Sequence, residues 1–352
     1  MRNPCEPLAS LGEKSKTAPG RNSRRKITAF TLLEMLVACA VLAMLSALLL
    51  TTLGQTTSIT RRATEGISAF QAARAAFDIM TTNLGQATLS SYWDYQDDGG
   101  DFRTASSRAS FKPAAYGRNS ELHFLIQPAG TQGLGTTGTG EMVAFQFPTA
   151  FASSASHEGL SSLLSACGYY VEYGDIEPLP SPFPQTAHKY RFRLMQALLP
   201  AENLKVYDSS TGNAWLSDLS SYATPIADNV IYLLVWPRKT QAEDNAGDEL
   251  SSNFTYDSRK NARTIPQPQT ANQLPPTLQV SIVCIDEASA SRFCTGETPP
   301  AAISSAFTGL FANSTQAQVE TDMDQLGTRL GSLGVNFRIL TTIVPLRESK
   351  MQ

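Results

Sequence analysis

The residues most often used for metal binding and covalent catalysis, cysteine and histidine, are few and scattered in this chain. The cysteines are Cys5, Cys39, Cys167, Cys284 and Cys294, and no two have the C-x-x-C spacing of a zinc or thioredoxin-like site. The histidines are His123, His157 and His188, and none belongs to an H-E-x-x-H motif. We therefore expect no enzymatic activity and no cofactor.

Aspartates cluster around Gly99-Gly100, and close-set carboxylates suit a hard cation such as Ca²⁺. The four are Asp94, Asp97, Asp98 and Asp101. Their spacing does not follow the D-x-[DN]-x-[DN]-G pattern, so a solvated acidic loop is the favoured interpretation and a calcium site the weaker alternative. Glu121 and Glu141 could form an acid–base pair, but they begin neighbouring predicted strands, and we expect both to be solvated.

A glycine-rich stretch from Gly133 to Gly138 matches G-x-G-x-x-G. In a dinucleotide site this motif follows a strand and begins a helix. Here the next segment, Glu141 to Phe147, has the pattern of a strand. We expect a hairpin loop and no phosphate site.

The charge distribution divides the chain into a basic head and an acidic body. The chain has 352 residues, 42% of them hydrophobic and 17% charged, which excludes wholesale disorder. Residues 1–29 carry a net charge of +5 against −3 for the whole chain, which leaves −8 on the remainder. A domain that coats nucleic acid needs its basic patch on the folded part, so we expect no nucleic-acid partner.

An apolar run from Phe30 to Leu50 follows the basic head and contains a single charge, Glu34. Its length matches the hydrocarbon thickness of a membrane. Arg24, Arg25 and Lys26 precede it, which predicts a cytoplasmic N-terminus and export of the remainder. The run is longer than the apolar region of a signal peptide and lacks an A-x-A-like stop. We predict a single-pass helix in the inner membrane over 30–50.

The carboxylate of Glu34 is the one feature that a plain anchor does not explain. A carboxylate in a membrane helix costs about 2 to 3 kcal/mol on insertion scales, which indicates a function. A cut between Ala29 and Phe30 would create an α-amino group about one helical turn from Glu34. An ion pair between the two, within one subunit or between neighbours, would set the stagger of stacked helices.

The motif Phe30-Thr31-Leu32-Leu33-Glu34 before an apolar run resembles the type III signal of type IV pilins and of the pseudopilins of type II secretion. The resemblance implies that prepilin peptidase cuts after Ala29 and methylates the new N-terminus at Phe30. It also implies that Glu34 directs assembly with other pilin or pseudopilin subunits. Ala29 departs from the glycine that usually precedes the cut, and the leader 1–29 is longer than most.

Later segments extend the resemblance over most of the chain. Asn229 to Leu233 followed by Leu274 to Ile282 is similar in order to the minor pseudopilin J family. Four segments are similar to the pilin-like "Verru/Chthon cassette protein C" group of Verrucomicrobia: Leu274-Pro275-Pro276, Ile285-Asp286-Glu287, Asn336-Phe337-Arg338 and Val344-Pro345-Leu346-Arg347. These resemblances imply a pilin-like domain with a structural role.

The elements that must position this motif follow from proline spacing and apolar periodicity. No proline lies between Pro19 and Pro113, which permits one long helix. Its second half, 51–90, has an apolar stripe at helical spacing: Ile67, Phe70, Ala73, Phe77, Met80 and Leu84. Segments with strand character follow at 121–127, 141–147, 168–173, 190–195, 229–236, 278–286 and 335–344, with a late helix at 320–330 and a long polar loop at 239–273. We predict an α+β fold in which the long helix packs on an antiparallel sheet, with one exported domain over 91–352.

Two of the cysteines, Cys284 and Cys294, fall in the part expected to be exported, where disulfides form. A disulfide between them would tie the end of a strand to the following loop. A buried free thiol at Cys284 is the alternative. Cys39 is expected to pack within the membrane helix.

Together these features predict a minor pilin or pseudopilin that is processed and assembled through its N-terminal helix. One alternative is an uncleaved, single-pass envelope protein that binds its target as a monomer. Another is a membrane-anchored enzyme, for which the sequence offers no set of catalytic residues.

Overall fold

A computed structural model of the chain describes residues 31–157, 160, 162–176, 188–207, 213 and 215–351. The chain divides into two compact units, Met1–Ser58 and Ile59–Gln352. The predicted leader, 1–29, lies outside the described residues.

The long N-terminal helix is confirmed as α1 (Leu32–Leu84). In the second unit, one face of α1 is buried at Ala73, Ala76, Phe77, Met80 and Leu84, which confirms the predicted apolar stripe over this stretch. The side chain of Ile67, also predicted in the stripe, lies outside the described part. The helix ends at Leu84, before Gly85.

Eleven strands are present in the described residues. They are β1 (Tyr92–Gln96), β2 (Ala115–Asn119), β3 (Leu125–Pro128), β4 (Glu141–Pro148), β5 (Leu164–Asp175), β6 (Tyr190–Leu199), β7 (Ala223–Asp228), β8 (Val230–Arg238), β9 (Tyr256–Asp257), β10 (Thr277–Ile285) and β11 (Phe337–Pro345). They form a hairpin β1-β2, a six-stranded sheet in the order β7-β6-β5-β4-β3-β9, and a three-stranded sheet in the order β11-β10-β8. Every neighbouring pair is antiparallel.

Each predicted strand is found. Some begin or end at a different residue than predicted, because side chains there take the place of the backbone hydrogen-bond partners of a neighbouring strand. β3 begins at Leu125 rather than Glu121. Before it, His123 N–H donates to Gln146 Oε1 (2.8 Å) and Phe124 N–H to Ser258 Oγ (3.0 Å). β10 ends at Ile285 because Asp286 caps the next helix.

The described part of the second unit also contains four shorter α-helices: α2 (Trp215–Ser220), α3 (Glu287–Phe293), α4 (Ala301–Phe307) and α5 (Gln316–Ser332). α5 contains the predicted helix 320–330. β11 starts two residues later than predicted because Gly334, with φ 65°, turns the chain out of α5.

The segment 239–273 is more tightly held than the predicted polar loop. It contributes β9, which pairs with β3, and it buries Phe254 and Tyr256 completely or nearly so. Asp244 is also buried, and its carboxylate accepts the N–H groups of Gly247 (2.7 Å) and Glu249 (2.9 Å). The low apolar content of this segment concealed the two aromatic anchors that fix it to the sheet.

The described part of α1 in the second unit packs against both sheets. Asn83 Nδ2 donates to the hydroxyl of Tyr169 on β5 (2.8 Å). The guanidinium of Arg338 on β11 lies 4.9 Å from the ring centre of Phe70. An apolar helix on antiparallel sheets confirms the predicted α+β class.

Candidate functional site

The start of α1 is an N-terminal capping box formed by Thr31 and Glu34. Glu34 N–H donates to Thr31 Oγ1 (3.3 Å), and a carboxylate oxygen of Glu34 accepts Thr31 N–H (3.3 Å) and the Thr31 hydroxyl (3.2 Å). This reciprocal pairing satisfies two backbone donors that a helix start leaves open. The T-x-x-E spacing could have predicted this box, and sequence reasoning overlooked it.

The box fixes where the predicted assembly carboxylate points. Glu34 Oε2 is directed back to the N–H of Thr31, the residue that follows Phe30. Ala29 and Phe30, the predicted cleavage and methylation residues, lie outside the described residues. The described members of the signal motif are Thr31, Leu32, Leu33 and Glu34, and all four are exposed.

The helix beyond the box exposes apolar side chains on every side. Residues Leu32–Thr57 make a stretch of 26 residues that is long and apolar enough to cross a membrane. Exposed fractions include 83% for Leu32, 67% for Leu42 and 70% for Leu50. An apolar surface of this kind is stable in lipid or against other helices and unstable in water.

Threonines extend this apolar stretch seven residues beyond the predicted end at Leu50. The hydroxyls of Thr51 and Thr52 donate to Leu48 O at 2.8 and 3.1 Å. Those of Thr56 and Thr57 donate to carbonyls one turn earlier, at 2.9 and 2.8 Å. Because each hydroxyl is hydrogen-bonded within the helix, burial in lipid leaves none of these donors unsatisfied.

Three of the four aspartates of the weak calcium candidate have other partners in the structure. Asp94 pairs with Arg103 at 3.0 Å, and Asp101 with Arg263 at 2.8 Å. Asp97 accepts the N–H groups of Gly99 and Asp101, each at 3.0 Å. No group of three or more His, Cys, Asp or Glu side chains in the described part of the chain is arranged to hold a metal ion, and Asp98 joins no such group.

The candidate disulfide is wrong in this structure, where Cys284 and Cys294 are both free and buried. Cys284 Sγ donates to the carbonyl of Arg338 on β11 (3.4 Å). Cys294 follows α3 and lies beside the backbone of Phe192 on β6. The two thiols therefore face different strands. Burial raises the pKa of each to about 11, which makes both poor nucleophiles.

Glu141 is not the solvated strand end that we predicted. Its side chain is buried, and its carboxylate accepts the N–H of Val235 on β8 (3.3 Å). Burial raises the pKa of Glu141 to about 8. Glu121 is exposed, as predicted.

The glycine-rich stretch lies in the loop between β3 and β4, so the predicted hairpin loop is confirmed. A Cβ on Gly138 would overlap the carbonyl of Val171, and one on Gly140 the carbonyl of Leu233. The absence of a side chain at these two glycines therefore allows the loop to pack closely against the backbone of β5 and β8.

Sequence reasoning missed a buried histidine network. His123 Nε2 lies 2.8 Å from Asp257 Oδ1, and Trp215 Nε1–H donates to His123 Nδ1 (3.3 Å). Since Nδ1 accepts, the neutral ring carries its proton on Nε2 and donates it to Asp257. Burial lowers the pKa of His123, so the ring is neutral at pH 7. Its ring partners in the described residues are an indole and a carboxylate, with no hydroxyl or thiol nucleophile among them.

A second missed feature is an ion cluster around Glu287 at the start of α3. One carboxylate oxygen accepts from Arg191 (2.6 Å) and lies 3.1 Å from Lys189 Nζ. The other accepts from Asn229 Nδ2 (2.8 Å). Arg191 lies on β6, Lys189 directly precedes β6, and Asn229 directly precedes β8. The cluster therefore connects the two sheets. We name Glu287, Arg191, Lys189 and Asn229 the Glu287 clamp.

Comparison with known proteins identifies the N-terminal segment only. Residues 24–50 match the family described as "Prokaryotic N-terminal methylation motif", so the chain carries this type IV pilin-like motif. A comparison with curated proteins gives no significant match, and neither does a comparison with solved structures. The motif marks the chain as a pilin-like substrate of prepilin peptidase, and the apolar helix fits a membrane-anchored pilin.

Proposed function

We propose that the chain is a minor pilin-like or pseudopilin-like structural subunit. It is cut by prepilin peptidase between Ala29 and Phe30, methylated at Phe30, and assembled into a filament related to type IV pili or type II secretion. Its role is structural and not enzymatic. The observation that carries this proposal is a methylation motif joined to an exposed apolar helix that begins with the Thr31–Glu34 box.

The proposed topology follows from the same segment. The leader stays in the cytoplasm, Leu32–Thr57 lies in the inner membrane, and the second unit faces the periplasm or the exterior. Helices of neighbouring subunits then pack through small residues such as Ala38, Ala40, Ala43 and Ala47. The likeness to minor pseudopilin J and to the Verru/Chthon cassette protein C group belongs to this proposal and is tested with it.

Glu34 has two separable roles in the proposal. As a hydrogen-bond acceptor it closes the capping box, and as a charge it pairs with the α-amino group of a processed N-terminus. Glutamine at this position keeps the reach of the capping box and removes the charge. The variant Glu34→Gln therefore isolates the second role, and Glu34→Ala removes both.

The test is incorporation of the full-length chain into filaments in a host with a prepilin peptidase. We expect Glu34→Gln and Glu34→Ala to be cleaved like wild type, but to be recovered in sheared filaments at least about tenfold less, the equivalent of a 1.4 kcal/mol loss. Thr31→Ser retains the capping hydroxyl and is the matched control, expected to assemble normally. Recovery of Glu34→Gln in sheared filaments at the wild-type level would refute the proposed role of the Glu34 charge.

The alternative is an uncleaved, monomeric membrane-anchored binding protein, and one observation favours it. The residue before the cut is Ala29 rather than glycine. If the leader is retained, no α-amino group forms beside Glu34, and the Thr31–Glu34 box acts only as a helix cap.

A further inference from the structure

The outer edge of β11 is an unpaired sheet edge. β11 ends the three-stranded sheet, pairing with β10 on one side and with no strand of the described residues on the other. Such an edge presents backbone donors and acceptors that fit another extended chain.

The register shows which backbone groups face outward. Just beyond the ends of the β10–β11 ladder, Asp286 N–H donates to Asn336 O and Leu346 N–H to Pro276 O, each at 3.0 Å. In an antiparallel pair such bonds recur at every second residue, so the even-numbered residues of β11 face β10. The N–H groups of the odd-numbered residues, Phe337, Ile339, Thr341 and Ile343, therefore point away from the sheet.

The other end strands of the two larger sheets, in the described part of the second unit, are protected, whereas β11 is not. β7 carries Pro225 and has a register shift against β6, and β9 is only two residues long. On β8, Val235 N–H donates to Glu141. These are the devices by which edges avoid pairing with other chains.

The side chains of β11 favour a partner strand that is mostly apolar and carries a single charged residue, which is acidic. Arg338 is its single charged residue, and Ile343 is 58% exposed. Beside the edge, between α1 and β11, lies a groove of about 400 Å³ lined by Phe70, Arg74, Cys284, Leu340 and other residues. A side chain placed opposite Leu340 would enter this groove.

A second copy of the chain does not fit this edge well. Antiparallel pairing of β11 with itself over its full length requires a twofold axis normal to the sheet, which would place Arg338 opposite Val344 and leave it without a carboxylate on the added strand. The same axis would reverse the segment of α1 that lies on the sheet near Phe70. This segment of the two copies would then run in opposite directions.

We propose that the outer edge of β11 binds an extended segment of a different, neighbouring subunit as an added antiparallel strand. The strand carries apolar residues opposite Ile339, Leu340 and Ile343 and an acidic residue opposite Arg338. Main-chain hydrogen bonds would supply the affinity and alternate side chains the specificity. This inference rests on the proposed function for the identity of the neighbour, but strand binding is measured without processing or assembly.

The test uses the full-length chain in detergent and a fluorescent peptide of the length of β11, nine residues. The peptide consists of Val and Thr, with Val opposite Ile339, Leu340 and Ile343, and with Glu as its penultimate residue, opposite Arg338. Binding is followed by fluorescence anisotropy. A peptide with Lys in place of this Glu tests the charge.

A matched pair of variants at Thr341 isolates the outward N–H. Thr341→Pro removes that N–H, while Thr341→Ala keeps it, and both lose the hydroxyl contact with Ser281 (2.8 Å). Since the N–H of residue 341 does not bond to β10, neither variant breaks the internal ladder. We expect saturable binding by wild type and Thr341→Ala, at least about fivefold weaker binding by Thr341→Pro, and weaker binding of the Lys peptide.

Three outcomes overturn the proposal. One is absence of saturable binding to wild type, and another is equal affinity of the Pro and Ala variants. The third is sedimentation of the full-length chain as a dimer that Thr341→Pro dissociates, because the occupant would then be a second copy. None of these outcomes bears on cleavage before Phe30, so failure here is distinct from failure of the proposed function.

Discussion

Replacing Glu287 by glutamine tests how much the Glu287 clamp stabilises the fold, because this substitution removes one charge from the cluster and changes little else. The glutamine side chain would retain the size of the original and an oxygen for Asn229. It would leave the guanidinium of Arg191, whose side chain is only 4% exposed, without a counter-charge. Breaking a buried pair from one side is costly because the other charge stays desolvated.

The magnitude follows from the pKa of Glu287. Partial burial raises this pKa, but hydrogen bonds from Arg191, Asn229 and Lys189 outweigh that effect and lower it from 4.5 to about 2. At about 1.4 kcal/mol per unit, the stabilisation of the ionised carboxylate is about 3 kcal/mol. Since the side chain is 28% exposed, solvent screening reduces the expected loss to about 2 to 3 kcal/mol.

The assay is urea unfolding of the full-length chain in mild detergent, followed by tryptophan fluorescence. Glu348→Gln, at an exposed glutamate, is the control for loss of one negative charge. Because the folded-state pKa of Glu287 is depressed, its contribution is complete above pH 4.5 and is lost as pH falls towards about 2. The gap between wild type and Glu287→Gln should therefore close over this range.

Two results would refute the reasoning about the Glu287 clamp. A Glu287→Gln variant within about 0.5 kcal/mol of wild type at pH 7 would show that the cluster is only a surface ion pair. A gap that persists unchanged at pH 2 to 3 would show that the loss comes from packing and not from charge.

Three further predictions concern the same unfolding measurement. Because burial depresses the pKa of His123, stability should fall as pH drops below 6.5, and His123→Phe should lack this slope. Because burial raises the pKa of Glu141 to about 8, wild type should lose stability from pH 4.5 towards 8, by up to about 1.4 kcal/mol per pH unit, whereas Glu141→Gln should not. Gly140→Ala should cost about 2 to 4 kcal/mol, since φ is 85° and Cβ would overlap the Leu233 carbonyl; an unchanged urea midpoint would contradict this.

The elements that sequence reasoning found are those with strong local patterns. The proline-free stretch and the apolar stripe from Phe70 to Leu84 predicted α1, and a high content of aromatic and β-branched residues predicted strands such as β8 and β10. The short strands β1, β2, β7 and β9 were missed, because two to six residues carry too little periodicity to stand out.

The environment of single polar residues was harder to predict, because it depends on contacts between distant segments. Glu141 begins β4 as predicted, yet β8 passes beside it and buries its carboxylate. Glu287 and Arg191 are far apart in sequence and meet only because α3 lies on β6. At the N-terminus the motif from Phe30 to Glu34 was recognised because its residues are consecutive in sequence.

The central claim is that the chain is processed as a pilin, and its most direct test is the intact mass and N-terminal residue of the membrane-extracted protein. The protein would be expressed with and without a prepilin peptidase. We predict a peptidase-dependent chain that begins at Phe30 and carries one N-terminal methyl group. A chain that keeps residues 1–29 under both conditions would contradict the claim and leave the monomeric anchored binding protein as the better account.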